Sequence, residues 1–418
     1  MDAPSNVSHQ PLLTEEAVPR GFRFGAVRAG IKASGNLDFA CAAAEKPATA
    51  AAVFTSNRVV AAPVIVARRH LQDSEQRLSL LLANAGNANC ATGNAGIEAA
   101  QRVCQEAGAV FGCNSHAILP ASTGIIGVPL PVEKLIGALP ALRAALGSSA
   151  AHLEQMAQAI MTTDTKPKAA AASFDVAGRT VRLAGITKGA GMIFPRLVSA
   201  PHATMLAFLF TDAEIAPLHA ANLLEGAVET TFNRISIDGD TSTNDTVVLW
   251  ASGASGVAIS PAQSDAAAGF RRALEQVCLS LAKQIVADGE GIEHMVELEV
   301  GGAGSDDDAL RIARAIAHSP LVKTAWAGCD PNWGRILSAV GSSGVAIDPS
   351  QVSIFYGDLE ICNRGGVSPR LDKEAAHRYL QQREIRVRIN LGGGSGACRF
   401  WTTDLTAEYV RINSAYST

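Results

Sequence analysis

The chain has 418 residues, 48% of them hydrophobic and 18% charged, with a formal net charge of −4. That length exceeds what one hydrophobic core normally serves, so two lobes are expected, and the apolar content excludes an intrinsically disordered chain. The sequence carries no long basic block to recruit nucleic acid, and no apolar run approaches the roughly 20 residues that cross a bilayer.

Residues 1–20 are polar and contain Glu15-Glu16. They lack the apolar centre of a signal peptide and the basic character of a transit peptide, and read as a disordered tail on a cytoplasmic protein. Residues 78–83 are a compact apolar run expected as a buried strand, ending in the turn cluster Asn84-Ala-Gly-Asn-Ala-Asn89. Helical spacing follows over 96–108, with Ile97, Ala100 and Val103 on one face. A short strand over 117–120 enters a turn at Ser122-Thr123-Gly124. Helices are expected over 132–146 and 152–161, and a strand over 180–186. Residues 205–210 are apolar and short, as a central strand is. Segments 212–225 and 262–287 read as helices, 296–300 as a strand, and 306–318 as a helix with acidic residues in its first turn. Two strands, 385–391 and 397–402, are expected to form a hairpin around Gly392-Gly-Gly-Ser-Gly396. This mixture is α/β or α+β.

The eight cysteines form no CxxC pair and no HExxH occurs, so neither a metal site nor a cofactor is expected; the thiols read as small buried hydrophobes in a reducing compartment. The glycine run at 392–396 lacks the Lys-Ser/Thr of a nucleotide loop.

Four segments place hydroxyls, glycines and isolated charges in apolar surroundings: Ser122-Thr-Gly124, Thr162-Thr-Asp-Thr165, Lys188-Gly-Ala-Gly-Met192 and His202-Ala-Thr-Met-Leu206. A fifth, Asp238-Gly-Asp-Thr-Ser-Thr-Asn-Asp-Thr246, is dense in polar groups but lacks the spacing of an EF-hand loop. Each has an ordinary alternative. Thr123-Gly124 fits a strand-ending turn, 162–164 a helix terminus with local bonds, Lys188 an exposed strand end, and Thr204 a β-branched strand residue.

Taken together and in order, these segments, with Thr123-Gly-Ile-Ile-Gly127, Asp288-Gly-Glu-Gly291, Cys329-Asp-Pro-Asn-Trp-Gly-Arg335 and Tyr409-Val-Arg-Ile-Asn413, resemble the glutamate N-acetyltransferase (ornithine acetyltransferase) family from Gly21 to Thr418. The resemblance implies a self-cleaving threonine-nucleophile fold of layered sheets flanked by helices, the type shared with certain aminopeptidases. It implies a cut between Ala203 and Thr204, giving an alpha fragment of 21–203 and a beta fragment of 204–418. Thr204 is then the nucleophile, Thr123 and Gly124 the oxyanion pair, and Thr162, Lys188, Thr204, Glu290, Asn413 and Thr418 the substrate contacts. The implied reaction moves an acetyl group from N2-acetylornithine to glutamate, with acetyl-CoA as a further candidate donor. The implied assembly is a heterotetramer of two alpha and two beta fragments.

Two departures stand out. The family runs Lys-Gly-x-Gly-Met-Ile-x-Pro-Asn-Met-Ala-Thr, whereas here Phe194-Pro-Arg-Leu-Val-Ser-Ala-Pro-His202 intervenes, five residues longer and without the Asn. Residues 196–200 are expected to form a solvent-facing bulge, with Pro201 as the rigid element. Ile292-Glu-His294 stands where the family usually has Ala-Thr-Lys. Competing readings are a self-cut aminopeptidase or amidase, and an acyltransferase paralogue of specialised metabolism or an uncut, non-catalytic one.

Overall fold

The computed structural model describes residues 12–197, 205–262 and 264–415. Ala203, Thr204 and Thr418 lie outside the described residues, as do the expected bulge beyond Leu197 and Pro201.

The first lobe is built on one eight-stranded sheet. Its strands are β1 (Phe22–Val27), β2 (Phe39–Phe54), β3 (Arg77–Asn87), β4 (Ile118–Ile125), β5 (Lys168–Val176), β6 (Arg179–Lys188) and β7 (Leu206–Thr211); after the short β8 (Glu214–Ile215) comes β9 (Thr246–Ala251). The order across the sheet is β4-β3-β2-β9-β7-β6-β5, with β1 paired to β2, while β8 pairs with β10 (Ala258–Ile259). Strands β7 and β9 are parallel, in register Leu206↔Thr246, and buried along their whole length. Such strands read as continuous apolar runs because both faces are covered. Alternate residues serve opposite cores. Ala207, Leu209, Val247 and Leu249 pack on α5 (Pro217–Thr230) and α6 (Ser264–Ala287), whereas Leu206, Phe208, Val248 and Trp250 pack toward α1 (Ala62–Asp73) and α4 (Ala150–Ala159). Helices α2 (Gly93–Phe111) and α3 (Val132–Ala144) close the end of the sheet around Phe39, Leu80 and Leu82. Strands from before and after residue 204 therefore interleave in one sheet, since β7 and β9 lie between β2 and β6.

The second lobe is local in sequence. Strands β11 (Met295–Ala303), β12 (Ser353–Tyr356), β13 (Leu359–Asn363), β14 (Gly366–Val367), β15 (Glu384–Asn390) and β16 (Gly396–Thr403) form a sheet of order β14-β13-β12-β15-β11-β16. Helices α7 (Asp306–Ala317), α8 (Pro320–Ala327), α9 (Trp333–Gly341) and α10 (Lys373–Leu380) share a core with its apolar face, through Leu310, Trp326, Ile336 and Leu380. The last helix, α11 (Ala407–Ala415), follows β16.

Several expectations change. The hairpin of 385–391 with 397–402 does not form: β11 lies between the two strands, parallel to β15 and antiparallel to β16. The glycine run is a crossing that passes the end of β11, where Gly393 N–H donates to the Gly302 carbonyl. The turn cluster at 84–89 is strand as far as Asn87. Segment 212–225 begins as β8 before the helix starts at Pro217. Of the expected disordered tail, residues 12–20 are folded against the body: Val18 is buried, and Glu15 accepts the Ala150 N–H at 3.0 Å. In the expected bulge, Leu197 is buried instead, its N–H and carbonyl both held by the Asn233 amide at 2.6 and 2.7 Å. Two-sided anchoring by one side chain outweighs the exposure that an insertion suggests. All eight cysteines are free, and Cys113 and Cys329 are only half-buried.

Candidate active site

A cleft of about 150 Å³ opens where the C-terminal ends of β4 and β6 meet the loops before β7 and β9. Thr123, Gly124, Thr162, Lys188, Glu290 and Asn413 all line it.

Thr123 and Gly124 are on β4 beside Ala85 and Gly86 of β3. Gly124 has φ +129°, and a Cβ there would sit 2.4 Å from the Gly86 carbonyl carbon, so only glycine lets the two strands approach this closely. The polar cluster from Asn84 to Asn89 braces this strand end. Ser122 Oγ donates to Asn84 Oδ1 at 2.6 Å, and Asn244 Nδ2 donates to the carbonyls of Ala88 and Ser122 at 2.6 and 2.9 Å. The segment before β9 thus fixes the loop after β3 and the strand that carries Thr123.

Lys188 ends β6, almost fully buried, and its Nζ donates to Thr162 Oγ1 at 2.7 Å and Thr123 Oγ1 at 3.2 Å. Burial pulls its ammonium below the ordinary lysine range, while Asp164, 4.0 Å away, opposes that shift. Asp164 is the hub of the region. It accepts from Lys168 Nζ at 2.6 Å, Gly189 N–H at 2.7 Å and Thr162 N–H at 2.9 Å. Burial alone would raise its pKa, but the charges of Lys188 and Lys168 and these bonds bring it down to about 2. Lys168 also donates to Asp288 at 2.5 Å, and Asp288 accepts from Thr165 N–H at 3.1 Å and from its hydroxyl. A buried carboxylate–ammonium–carboxylate chain therefore fixes the turn carrying Thr162 to the loop that leads to Glu290.

Glu290 faces the cleft from that loop and accepts from Asn413 Nδ2 of α11 at 2.9 Å. A Cβ on Gly191 would lie 2.5 Å from the Glu290 carboxyl carbon, so the glycine makes the room the carboxylate occupies. Asp238 accepts the N–H groups of Met192 and Ile193 at 2.6 and 2.9 Å, and Tyr409 OH donates to it at 3.3 Å. Next to the cleft, Asp245 is fully buried, and among the described residues neither carboxyl oxygen has a hydrogen-bond partner. Burial pushes its pKa well above the ordinary carboxylate value, and the Lys188 charge opposes that shift.

The sequence reading brought Thr162, Lys188, Glu290 and Asn413 to this cleft but gave no role to Asp164, Lys168, Asp238, Asn244 or Tyr409. Asp164 sits in the Thr162–Thr165 stretch beside an equally polar Thr165, and nothing local marks it as the partner of two lysines. Chemically, the cleft offers hydroxyl donors backed by a cation, and an anion on the same wall.

The sequence profile of the ArgJ family matches residues 23–418. The arginine biosynthesis bifunctional protein ArgJ of Geobacter sulfurreducens is 45% identical over 96% of this chain and 99% of its own length. The protein of the same name from Pseudomonas fluorescens is 43% identical over 95% and 96%. A solved structure of arginine biosynthesis bifunctional protein argJ from Bacillus halodurans is 41% identical, covers 50% of this chain and 98% of its own, and superposes with a TM-score of 0.48. Among the described residues, no helix is long and apolar enough to cross a membrane.

Proposed function

The chain belongs to the ArgJ family, and we propose on that premise that it is an acyltransferase moving the acetyl group of N2-acetylornithine to glutamate by way of Thr204. The observation that carries the reading is Lys188, which grips both the Thr123 and Thr162 hydroxyls in a cleft that also presents Glu290. Before transfer, the chain cuts itself between Ala203 and Thr204, which frees the Thr204 α-amine. That amine has a reference pKa of about 7.7–8.0 and serves as base for its own hydroxyl near neutrality.

The Thr204 oxygen attacks the acetyl carbonyl carbon while its proton passes to the amine. Thr123 accepts from Lys188, so its own hydrogen is free to donate, together with the Gly124 N–H, to the oxyanion. The C–N bond then breaks and the ornithine nitrogen leaves with the proton. The amine of glutamate attacks acetyl-Thr204 by the reverse steps. Glu290 and Asn413 receive the ammonium end of ornithine, Thr162 and Lys188 orient the opposite end, and Thr418 is a further substrate contact. The interleaved sheet supports the two fragments staying together, in a heterotetramer of two alpha and two beta pieces in the cytoplasm.

Mixing purified protein with N2-acetylornithine, with and without glutamate, tests this reading. Acetyl loss should require glutamate and give N-acetylglutamate one for one. Undiminished loss without glutamate would make the protein an amidase instead.

A further inference from the structure

The loop bearing Glu290 and the chain that runs from β16 into α11 meet again behind the cleft, at a cluster that the reaction does not use. His294 Nδ1 lies 2.8 Å from the Gln382 carbonyl and donates to it, which leaves Nε2 as the ring nitrogen turned to the rest of the cluster. The Cys329 sulfur is 3.8 Å from that Nε2. Ligand atoms of Glu293, His294 and Asp404 lie within 4.8 Å of one another. His294 and Asp404 are buried, whereas Glu293 reaches solvent. Both Asp404 oxygens accept the Glu293 N–H, at 3.1 and 3.2 Å, which orients the carboxylate toward the imidazole side. The neighbouring Lys323 ammonium is spent elsewhere, on the carbonyls of Ile237 and Thr403 at 2.9 and 2.5 Å.

We propose that Glu293, His294, Asp404 and Cys329 form a site for one divalent cation of the zinc class. The donors are imidazole, thiolate and carboxylate, the mixed set that suits zinc rather than calcium or magnesium. Zinc bonds of about 2.0–2.3 Å place donors in a tetrahedron roughly 3.5 Å apart. The His294–Cys329 pair is near that spacing, and because Cys329 stands outside the 4.8 Å group of Glu293, His294 and Asp404, both the exposed Glu293 and the half-buried Cys329 rotate to close the remainder. The Nδ1–carbonyl bond is the outer contact that a ligating histidine uses to fix its ring.

The role is a clamp. Glu293 is three residues beyond Glu290, and Asp404 is five before Tyr409. A cation here ties the two segments lining the cleft to the end of α8 at Cys329.

The test uses the full-length protein, stripped with a chelator and titrated with Zn²⁺ alone by calorimetry and with Co²⁺ alone by absorption. One ion should bind per chain, with a sulfur-to-cobalt charge-transfer band that Cys329→Ser removes. His294→Gln and Glu293→Gln should each weaken Zn²⁺ binding by about 100-fold or more, beyond the cost of losing an outer contact. Glu293→Gln changes a surface side chain and guards against misfolding, since its melting temperature without zinc should match the parent's. Absence of stoichiometric binding by the parent, or unchanged binding in both the Glu293 and His294 variants, overturns the proposal and leaves the cluster as packing between the two segments.

Discussion

The two lobes place their charges differently. In the first, Asp164, Lys168 and Asp288 are buried together, and Lys188 beside them is all but buried. In the second, the sheet carries exposed ion pairs, Glu297 with Arg399, and Asp358 with Arg386 and Arg388, while Lys323 and Asp404 are buried near its junction with the first. Desolvating a charge costs several kcal/mol unless its partners are well placed, and removing one partner of a buried pair typically costs about 3–5 kcal/mol. An exposed pair is worth about 0–1 kcal/mol. The exposed sheet face of the second lobe therefore reads as a scaffold that tolerates change, while the first lobe keeps costly charges because they set the positions of Thr162, Lys188 and Glu290.

The widest separation between the lobes should come at Thr204. Thr204→Ala should leave one uncut chain on a denaturing gel and abolish acetyl transfer, since hydroxyl and amine are lost together. Appreciable transfer by that variant would remove Thr204 as nucleophile. Next, Thr123→Ala should slow transfer by about 10²–10³-fold in kcat, the cost of one oxyanion donor, with Thr123→Ser recovering most of it. Asp164→Asn should strip Lys168 and Lys188 of their shared counter-ion and lower unfolding free energy by about 3–5 kcal/mol in denaturant titrations. The same carboxylate gives a pH signature. Its folded pKa of about 2 is below the ordinary value, so its contribution is present above about pH 4 and is lost as pH falls from about 4 to about 2. Unfolding curves taken across that window should lose this increment in the parent and not in Asp164→Asn. Gly191→Ala should displace Glu290 and raise KM for N2-acetylornithine by about tenfold, a few times more than it lowers kcat. Last, Arg399→Ala in the second lobe should change stability by less than about 1 kcal/mol and leave transfer untouched. A large effect there would mean that the sheet face is not merely a scaffold.

Local pattern made β3, β7, β11, α6 and α7 legible, because each has a periodic or continuous apolar signal of its own. Pairing was less legible. Strands β15 and β16 flank a glycine run like any hairpin, and nothing within them announces that β11, some 80 residues earlier, will slide between them. The site divides similarly. Its hydroxyls, Lys188 and Glu290 sit in glycine-rich segments that stand out in an apolar chain. Asp164 and Asn244 act through partners more than 100 residues away, Asp288 and Ala88, and side-chain type says nothing about such distances. The Glu293–His294–Asp404 cluster was invisible for the same reason, since its donors are not spaced as a linear metal motif.

The interleaving of β7 and β9 between β2 and β6 also fixes an order of events. A piece ending at residue 203 would leave β6 with an open edge, and a piece starting at 204 would hold β7 and β9 without their outer neighbours. Folding as one chain is a first-order process, because each strand's partners are tethered nearby. Were the proposed cut at 203–204 made, regaining the sheet from denaturant would become a second-order encounter whose rate falls with dilution. Under that proposal maturation is a ratchet: the chain would pass through its assembly step once, intact, and afterwards last only as long as it avoids unfolding.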